Sequence, residues 1–168
     1  AGGGVNRSRR QRRDHRVVVT AKIMDGVRLG DEIVAGIRDE IVAAGGRPIC
    51  LATVVVADDA ASHSHIRAKQ RQATAAGMRW RGVALPSSAT QSSVDEAVVA
   101  LAADPEVHGV FVQLPLPAAI DLDRVLAVVP PDKDIDGMTE VSLARLAAGL
   151  PGHAPATPLA VLRLLERY

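Results

Sequence analysis

The chain of 168 residues has one cysteine, one residue each of Phe, Trp and Tyr, and no long apolar run. The lone Cys50 excludes a disulfide framework and a cysteine metal site, and its apolar neighbours predict a small buried side chain. No run approaches the roughly 20 apolar residues that a membrane-spanning helix needs. The N-terminus is too polar for a signal peptide. We therefore expect a soluble, cytoplasmic protein, with 48% apolar residues to build its core.

Positive charge comes mostly from arginine, and much of it lies at the N-terminus. Residues 1–16 carry six arginines against the single acid Asp14, so the rest of the chain is net acidic. Low apolar content and high charge predict that this arm is disordered. It could bind nucleic acid, but no aromatic residue is interleaved for base stacking, so we favour a solvated tail.

Lysine is rare, because only Lys22, Lys69 and Lys133 occur among twenty Lys and Arg residues. Where arginine supplies nearly all the positive charge, a lysine indicates that its position requires an ammonium group, whose pKa can shift, in place of a guanidinium group.

Short apolar runs alternate with segments of helical periodicity. Strands are predicted at 49–56, 78–85 and 107–112. Helices are predicted at 29–44, at 61–76, from an N-cap at Ser92 or Ser93, at 122–128, at 142–148, and at 159–168 after Thr157 as N-cap and Pro158 as first residue. The first strand is apolar on both faces, as parallel strands between helix layers are. The pattern predicts an α/β fold with a three-layer αβα arrangement and a parallel sheet.

The predicted domain organisation has three parts. Residues 1–16 form the arm, residues 17–155 form the α/β domain, and residues 156–168 form a terminal helix that could lead elsewhere.

The third predicted strand ends in Gln113 and the proline-rich segment 114–117, and an Asp-rich turn follows at 132–137. Proline cannot donate to a central sheet ladder, and ligands of parallel sheets bind beyond the carboxyl ends of the strands. The turn matches the first half of a calcium loop, but position 12 is Leu143 instead of Glu, so a calcium site is not favoured. We expect the chemistry where Gln113 and the turn meet.

Two histidines and a lysine lie on the second predicted helix. His63 and His65 are two residues apart and point to different faces, so they do not form a metal pair. His65 and Lys69 are four residues apart and share a face. They could hold a flat ligand and move a proton, although periodicity alone favours two polar residues on the surface of a helix.

Three separated motifs are similar to those of one family. They are Ala61-Ser62 with His65 and Lys69, then Val-Gln-Leu-Pro-Leu-Pro at 112–117, then Lys-Asp-Ile-Asp-Gly at 133–137. Met24-Asp25-Gly26 and Pro155-Ala156-Thr157-Pro158 are two further landmarks. Together they resemble the substrate-binding half of the methylenetetrahydrofolate dehydrogenase/methenyltetrahydrofolate cyclohydrolase family, from about residue 20 to 168.

The resemblance implies a tetrahydrofolate substrate with a one-carbon bridge, hydride removal to NADP or NAD, and hydrolysis of the methenyl product. Lys69 would transfer the proton in the hydrolysis, Gln113 would orient Lys69, and Asp136 would accept hydrogen bonds from the pterin. The resemblance also implies substrate contacts by Ser62, His65, Leu114, Pro115, Pro117, Asp134, Thr157 and Pro158. It also implies homodimers in the family, while the residue patterns described above predict no metal site and no membrane span.

The chain departs from the family pattern in residues and in length. His65 stands where tyrosine is usual, Ala57 and Ala60 replace Gly and Pro, and Ala156 replaces cysteine. The family continues into an NAD(P)-binding Rossmann-like domain, whereas this chain stops at Tyr168 and has no Gly-rich strand-to-helix turn. We expect a fragment or truncated relative that binds no dinucleotide by itself and performs at most the cyclohydrolase half.

Two other functions stay open from the sequence. The domain could bind folate without turning it over, as a pseudoenzyme does. Alternatively, the arginine-rich arm could recruit the domain to nucleic acid, and that binding would weaken with salt and require residues 1–16.

Overall fold

The computed structural model of the chain describes residues 21–58 and 60–168, and the arm expected at 1–16 lies outside them. The first helix, α1, spans Gly26–Ala43 and begins three residues earlier than expected. The reason is Asp25, whose carboxylate accepts a hydrogen bond from the Arg28 N–H at 3.0 Å and caps the helix. The helix ends before Gly45 and Gly46, which both have positive φ.

The described strands form one parallel sheet with the order β2-β1-β3. They are β1 at Cys50–Val56, β2 at Arg79–Leu85 and β3 at Gly109–Val112. In the centre, Val54 of β1 pairs with Val83 of β2 and with Val112 of β3. The parallel α/β sheet expected from the apolar β1 is confirmed.

Five more helices follow in the described chain, namely α2 at Ala60–Ala75, α3 at Gln91–Ala103, α4 at Leu122–Ala127, α5 at Glu140–Ala147 and α6 at Ala156–Arg167. One face of the sheet, with Ala52, Val54 and Val110, packs on Val94 and Val98 of α3 in a continuous core. The opposite face of the sheet contacts α2. Helices therefore cover both faces of the sheet, which explains why β1 is almost entirely buried.

Two N-caps differ from the sequence prediction. Helix α3 is capped by Thr90, not by Ser92 or Ser93, because the Thr90 hydroxyl accepts from the Ser93 N–H at 3.3 Å. Helix α6 begins at Ala156 after Pro155, so Thr157 and Pro158 lie inside its first turn.

The physical reason for the earlier start of α6 is a tertiary contact. The Ala156 N–H donates to the Asp136 carbonyl at 3.3 Å and attaches the helix start to a distant loop. No helix in the described part of the chain is long and apolar enough to cross a membrane.

Candidate active site

Strand β3 places Gln113 at the carboxyl end of the sheet. The Gln113 N–H donates to the Val54 carbonyl at 2.8 Å and extends the ladder by one residue. Its side-chain Nε2 donates to the Leu114 carbonyl at 2.5 Å, whereas Oε1 is buried and has no hydrogen-bond partner among the described residues. Leaving such an acceptor unpaired costs about 1–3 kcal/mol, so this oxygen is suited to receive a donor from a ligand or from a nearby cation.

Helix α2 carries Lys69, which extends toward the same end of the sheet. The Lys69 Nζ lies 4.2 Å from the centroid of the Phe111 ring. Phe111 is buried on β3, and its ring makes an edge-to-face contact with Trp80 of β2, with centroids 5.7 Å apart and planes at 64°. Lys69 forms no salt bridge with any carboxylate of the described chain. Lys69 is exposed, and the face of Phe111 is the contact that its ammonium group makes with the described protein.

The loop at 132–139 runs beside β3 and is hydrogen-bonded both to β3 and to the C-terminal end of α3. The Val110 N–H donates to the Lys133 carbonyl at 2.7 Å, and Val110 forms a parallel bridge with Asp134. The Lys133 Nζ donates to the carbonyls of Ala102 at 2.7 Å and Asp104 at 2.9 Å, at the C-terminal end of α3. A cation there satisfies carbonyls that have no intrahelical partner. Lys133 thus anchors the loop to the core.

Asp134 organises the second half of the same loop. It is 2% exposed and accepts hydrogen bonds from the Thr139 N–H at 2.8 Å and the Met138 N–H at 3.2 Å. Burial by itself would raise the pKa of Asp134, but hydrogen bonds from Thr139, Ser142 and Met138 together outweigh burial and lower it. Its carboxylate is therefore occupied by the start of α5.

Asp136 is only two residues away and meets different surroundings. It is half-buried and lines a cavity that Lys69 also lines. Burial raises the pKa of Asp136 above its usual value, the positive charge of Lys69 opposes this rise, and the charge of Asp134 adds to it. A carboxylate that is partly desolvated without hydrogen-bond donors is prepared to accept them from a ligand.

Two glycines allow this loop to approach its neighbours. Gly137 has φ of 63°, and a Cβ there would lie 2.4 Å from the backbone carbon of Ala154. A Cβ at Gly109 would lie 2.4 Å from Cγ2 of Ile135. Only the absence of a side chain permits such contacts.

A cavity of about 900 Å³ lies at the carboxyl end of the sheet, between α2, β3, the loop and α6. The residues predicted from the sequence that line it are Lys69, Gln113, Leu114, Asp136, Thr157 and Pro158. The other predicted residues, Ser62, His65, Pro115, Pro117 and Asp134, are not among the described residues that line it. Its size suits a small organic ligand.

Several residues at this site were not anticipated from the sequence. Gln72 lines the cavity three residues after Lys69 on α2, so helical periodicity could have found it. Met138 lines it directly after the Asp-Gly turn. Phe111 and Trp80 meet only because β1 aligns their strands, and no local pattern predicts that contact.

Metal binding has no support in this geometry. The described residues contain no group of three or more His, Cys, Asp or Glu side chains placed to hold a metal ion.

The fold and the cavity define a parallel α/β domain that presents a lysine, an amide and a carboxylate to one ligand-sized space. The family model described as tetrahydrofolate dehydrogenase/cyclohydrolase, catalytic domain, matches residues 24–136. The chain belongs to this family, as the sequence motifs predicted.

Relatives and solved structures agree with that membership. The chain is 45% identical over 151 residues to bifunctional protein FolD 1 of Salinispora tropica, covering 88% of this chain and 49% of the relative. It is 40% identical over 146 residues to bifunctional protein FolD of Methanoculleus marisnigri, covering 87% and 51%. The chain thus spans about half the length of the curated relatives it matches.

Solved structures with the same fold include a bifunctional FolD methylenetetrahydrofolate dehydrogenase/cyclohydrolase from Campylobacter jejuni, with a TM-score of 0.82 at 31% identity, covering 88% of this chain and 53% of that one. Another is the methylenetetrahydrofolate dehydrogenase-cyclohydrolase of Trypanosoma brucei, complexed with NADP cofactor and inhibitor. Its TM-score is 0.82 at 30% identity, with coverage of 87% and 51%. The family acts in folate one-carbon interconversion.

Proposed function

We propose that this chain supplies the folate side of a methylenetetrahydrofolate dehydrogenase/cyclohydrolase, and that it carries the proton-transfer group for hydrolysis of methenyltetrahydrofolate. The observation that carries the proposal is the convergence of Lys69, Gln113 and Asp136 on one cavity from three separate elements. The buried, unpaired Gln113 Oε1 supports it further, because a folded domain rarely keeps such an acceptor without use for it.

Each of these side chains has a distinct part in the proposed hydrolysis. Water attacks the bridging carbon of the methenyl cation and gives up one proton. The bond from that carbon to one nitrogen then breaks, this nitrogen keeps the bonding electron pair and takes the second proton of the water, and the oxygen stays on the carbon as a formyl group. Lys69 takes that first proton as general base in its neutral amine form, so the ammonium form that contacts Phe111 must lose a proton before this step. Gln113 Oε1 accepts a hydrogen bond from Lys69 and orients it. The carboxylate of Asp136 accepts hydrogen bonds from adjacent N–H donors of the pterin.

The remaining predicted residues have weaker support. Leu114, Thr157 and Pro158 line the cavity and suit contact with the rest of the substrate. Ser62, His65, Pro115, Pro117 and Asp134 stay predictions as substrate contacts. For His65, which is exposed on α2, contact would require the ligand to extend outside the cavity.

For the nicotinamide cofactor, the strand-to-helix turns of the described chain do not fit a pyrophosphate site of the Rossmann kind. A dinucleotide site of the Rossmann kind needs glycines where a strand turns into a helix, so that the backbone can approach the pyrophosphate. The turns from β1 to α2, from β2 to α3 and from β3 to α4 contain no glycine. We therefore assign no step of hydride transfer to these residues, although full-length members of the family use NADP or NAD.

A second candidate function is folate binding without turnover. It is favoured by the position of Lys69, whose ammonium contacts Phe111 and not the buried, unpaired Gln113 Oε1, although both residues line the same cavity. The two candidates share the binding step and differ only in the proton transfer.

Hydrolysis of methenyltetrahydrofolate, followed by loss of its ultraviolet absorbance, separates the candidates. Lys69→Met should reduce the rate by about 10²–10⁴-fold, the usual contribution of a general base, while tetrahydrofolate still binds. Lys22→Met is the matched control, because Lys22 is exposed and donates to the Tyr168 carbonyl at 2.8 Å, outside the cavity. Binding without hydrolysis in the unaltered chain would establish the second candidate.

A further inference from the structure

The Lys69 ammonium lies on an aromatic ring and not on the amide that would orient it. Its distance of 4.2 Å from the Phe111 centroid is within the roughly 6 Å limit for cation–π attraction. The ring presents its negative face to the cation, so this position is favourable even without a carboxylate partner.

Phe111 is held in place by its own packing. It is 5% exposed in β3, and the edge contact with Trp80 limits how its ring can rotate. Phe111 and Trp80 line a neighbouring cleft of about 250 Å³, and neither is among the described residues that line the larger cavity. Lys69 and Asp136 line both spaces. The lysine therefore stands at the boundary between the aromatic pair and the ligand cavity.

The larger cavity offers Lys69 a second partner. Gln113 Oε1 is a buried acceptor without a donor among the described residues, and an ammonium group has three donors. Lys69 and Gln113 line the same cavity, so one flexible side chain contacts a ring face and lies on the same cavity as a residue whose amide oxygen is unpaired. Filling the cavity would exclude water and strengthen the hydrogen bond to the amide.

We propose that Phe111, supported by Trp80, is a positioning residue that holds Lys69 in a rest position, from which Lys69 moves to Gln113 Oε1 when a folate fills the cavity. The movement rests on the proposed function, whereas the rest position does not. A partner that favours the rest position lowers the population of the binding-competent arrangement and so weakens the apparent affinity for the ligand.

The small number of lysines makes the rest position directly measurable. With lysine labelled at the ε carbon, the NMR spectrum has one ε-methylene signal each for Lys22, Lys69 and Lys133. Aromatic ring currents move protons above a ring upfield, so the Lys69 signal should be shifted furthest. Lys22, whose Nζ lies 5.4 Å from the Tyr168 centroid, should be shifted less, and Lys133, which binds two carbonyls, should mark the unshifted position.

Variants of Phe111 test whether its ring causes the upfield shift of the Lys69 signal. Phe111→Leu should bring the Lys69 signal to the position of Lys133, whereas Phe111→Tyr keeps a ring face and should keep the upfield shift. Single Lys→Arg replacements assign the three signals. An unshifted Lys69 signal in the unaltered chain would overturn the rest position, and this result needs only the conservative Lys→Arg variants for its assignment and none at Phe111.

Addition of tetrahydrofolate under reducing conditions tests the movement. At saturation the Lys69 signal should move downfield and the Gln113 side-chain amide signals should shift with it. The Phe111→Leu variant should bind tetrahydrofolate about two- to fivefold more tightly, because no modest cation–π contact then has to be broken before Lys69 moves. If tetrahydrofolate binds and the Lys69 signal stays upfield, the movement is wrong. If no signal responds at any concentration, the proposed function and the movement both fail, while the ligand-free spectrum still decides the rest position.

Discussion

Asp134 and Asp136 occupy the same loop two residues apart, and the fold uses them in opposite ways. Asp134 is 2% exposed and accepts two backbone N–H groups at the start of α5, so its pKa is lowered despite burial. Asp136 is half-buried beside the cavity, and burial raises its pKa. The first carboxylate is stabilised in its charged form by donors from the protein. The second is left for donors that come from outside it.

The same contrast separates two groups of residues around the loop. Lys133, Asp134 and Gly137 form the frame, because each makes or permits a contact that holds the loop against the core. Lys69, Gln113 and Asp136 form the site, because each lines the cavity with unused capacity to bind. Binding sites commonly keep such groups at a cost in stability, whereas the burial of frame residues is offset by contacts within the protein. Substitutions in the frame should therefore lower the stability of the fold, whereas substitutions in the site should weaken ligand binding and leave stability nearly unchanged.

The largest effect on stability is expected at Gly137. In Gly137→Ala, the new Cβ would overlap the backbone of Ala154 at 2.4 Å and adopt a φ of 63°, so the free energy of unfolding should fall by about 3 kcal/mol. Gly149→Ala is the matched control, because Gly149 has φ of 67° and a Cβ there would meet no neighbouring atom within 4 Å. Gly149→Ala should lower the free energy of unfolding by only about 1 kcal/mol, because it carries the conformational cost of a side chain at positive φ and no steric overlap. Equal losses in urea unfolding would contradict the close approach of the loop to the segment before α6.

Asp134→Asn comes next and tests the frame carboxylate. One N–H donor at the start of α5 would face an amide NH₂, so stability at pH 7 should fall by about 2 kcal/mol. Because the folded pKa of Asp134 is lowered, its contribution is present above the unfolded pKa and is lost as pH falls through the folded pKa. The difference between the two proteins should therefore shrink in acid. A difference that is independent of pH would show that the charge of Asp134 is not what matters.

Asp136→Asn should have the smallest effect on stability and the opposite sign. The folded pKa of Asp136 is raised, so the folded state binds the proton more tightly, and wild-type stability falls as pH rises from the unfolded pKa through the folded pKa. Asp136→Asn avoids that loss, so its free energy of unfolding at pH 7 should be higher than that of the unaltered chain. The increase should be less than about 1 kcal/mol, since the side chain is only half-buried. Binding of tetrahydrofolate should weaken by about tenfold, as expected for a lost charged acceptor. A loss of stability like that of Asp134→Asn would remove the distinction between frame and site.

The fold was predictable from the sequence because its signals are local. The apolar residues on both faces of β1 indicate a strand between helix layers, and the parallel sheet confirms it. Asp25 and the glycines after α1 mark the ends of that helix within a few residues. The predicted N-caps of α3 and α6 were wrong because several Ser, Thr and Pro residues near each helix start are all suited to begin a helix. For α6 the choice depends on the contact between Ala156 and Asp136.

The candidate site was predictable only in part. Family motifs pointed to Lys69, Gln113 and Asp136, and the fold brings these three to one cavity. The resemblance assigned the pterin hydrogen bonds to Asp136 and a substrate contact to Asp134, but it did not predict that Asp134 is buried and accepts N–H groups of the protein itself, because that depends on which residues surround it. It also missed Phe111 and Trp80, whose contact requires the register of three strands.

The sequence by itself determined the class of fold, the family and the order in which a lysine, an amide and an Asp-rich turn follow one another. The class of fold depends on periodicity and propensity, which are properties of neighbouring residues, whereas the family was indicated by the resemblance of its motifs. Only the tertiary structure decided that one aspartate accepts the N–H groups of the two residues before α5 while the other lines a cavity, and that Lys69 lies on Phe111 with Gln113 Oε1 unpaired. The reason is that hydrogen bonding, burial and charge at each group are set by residues distant in sequence, which packing alone brings together.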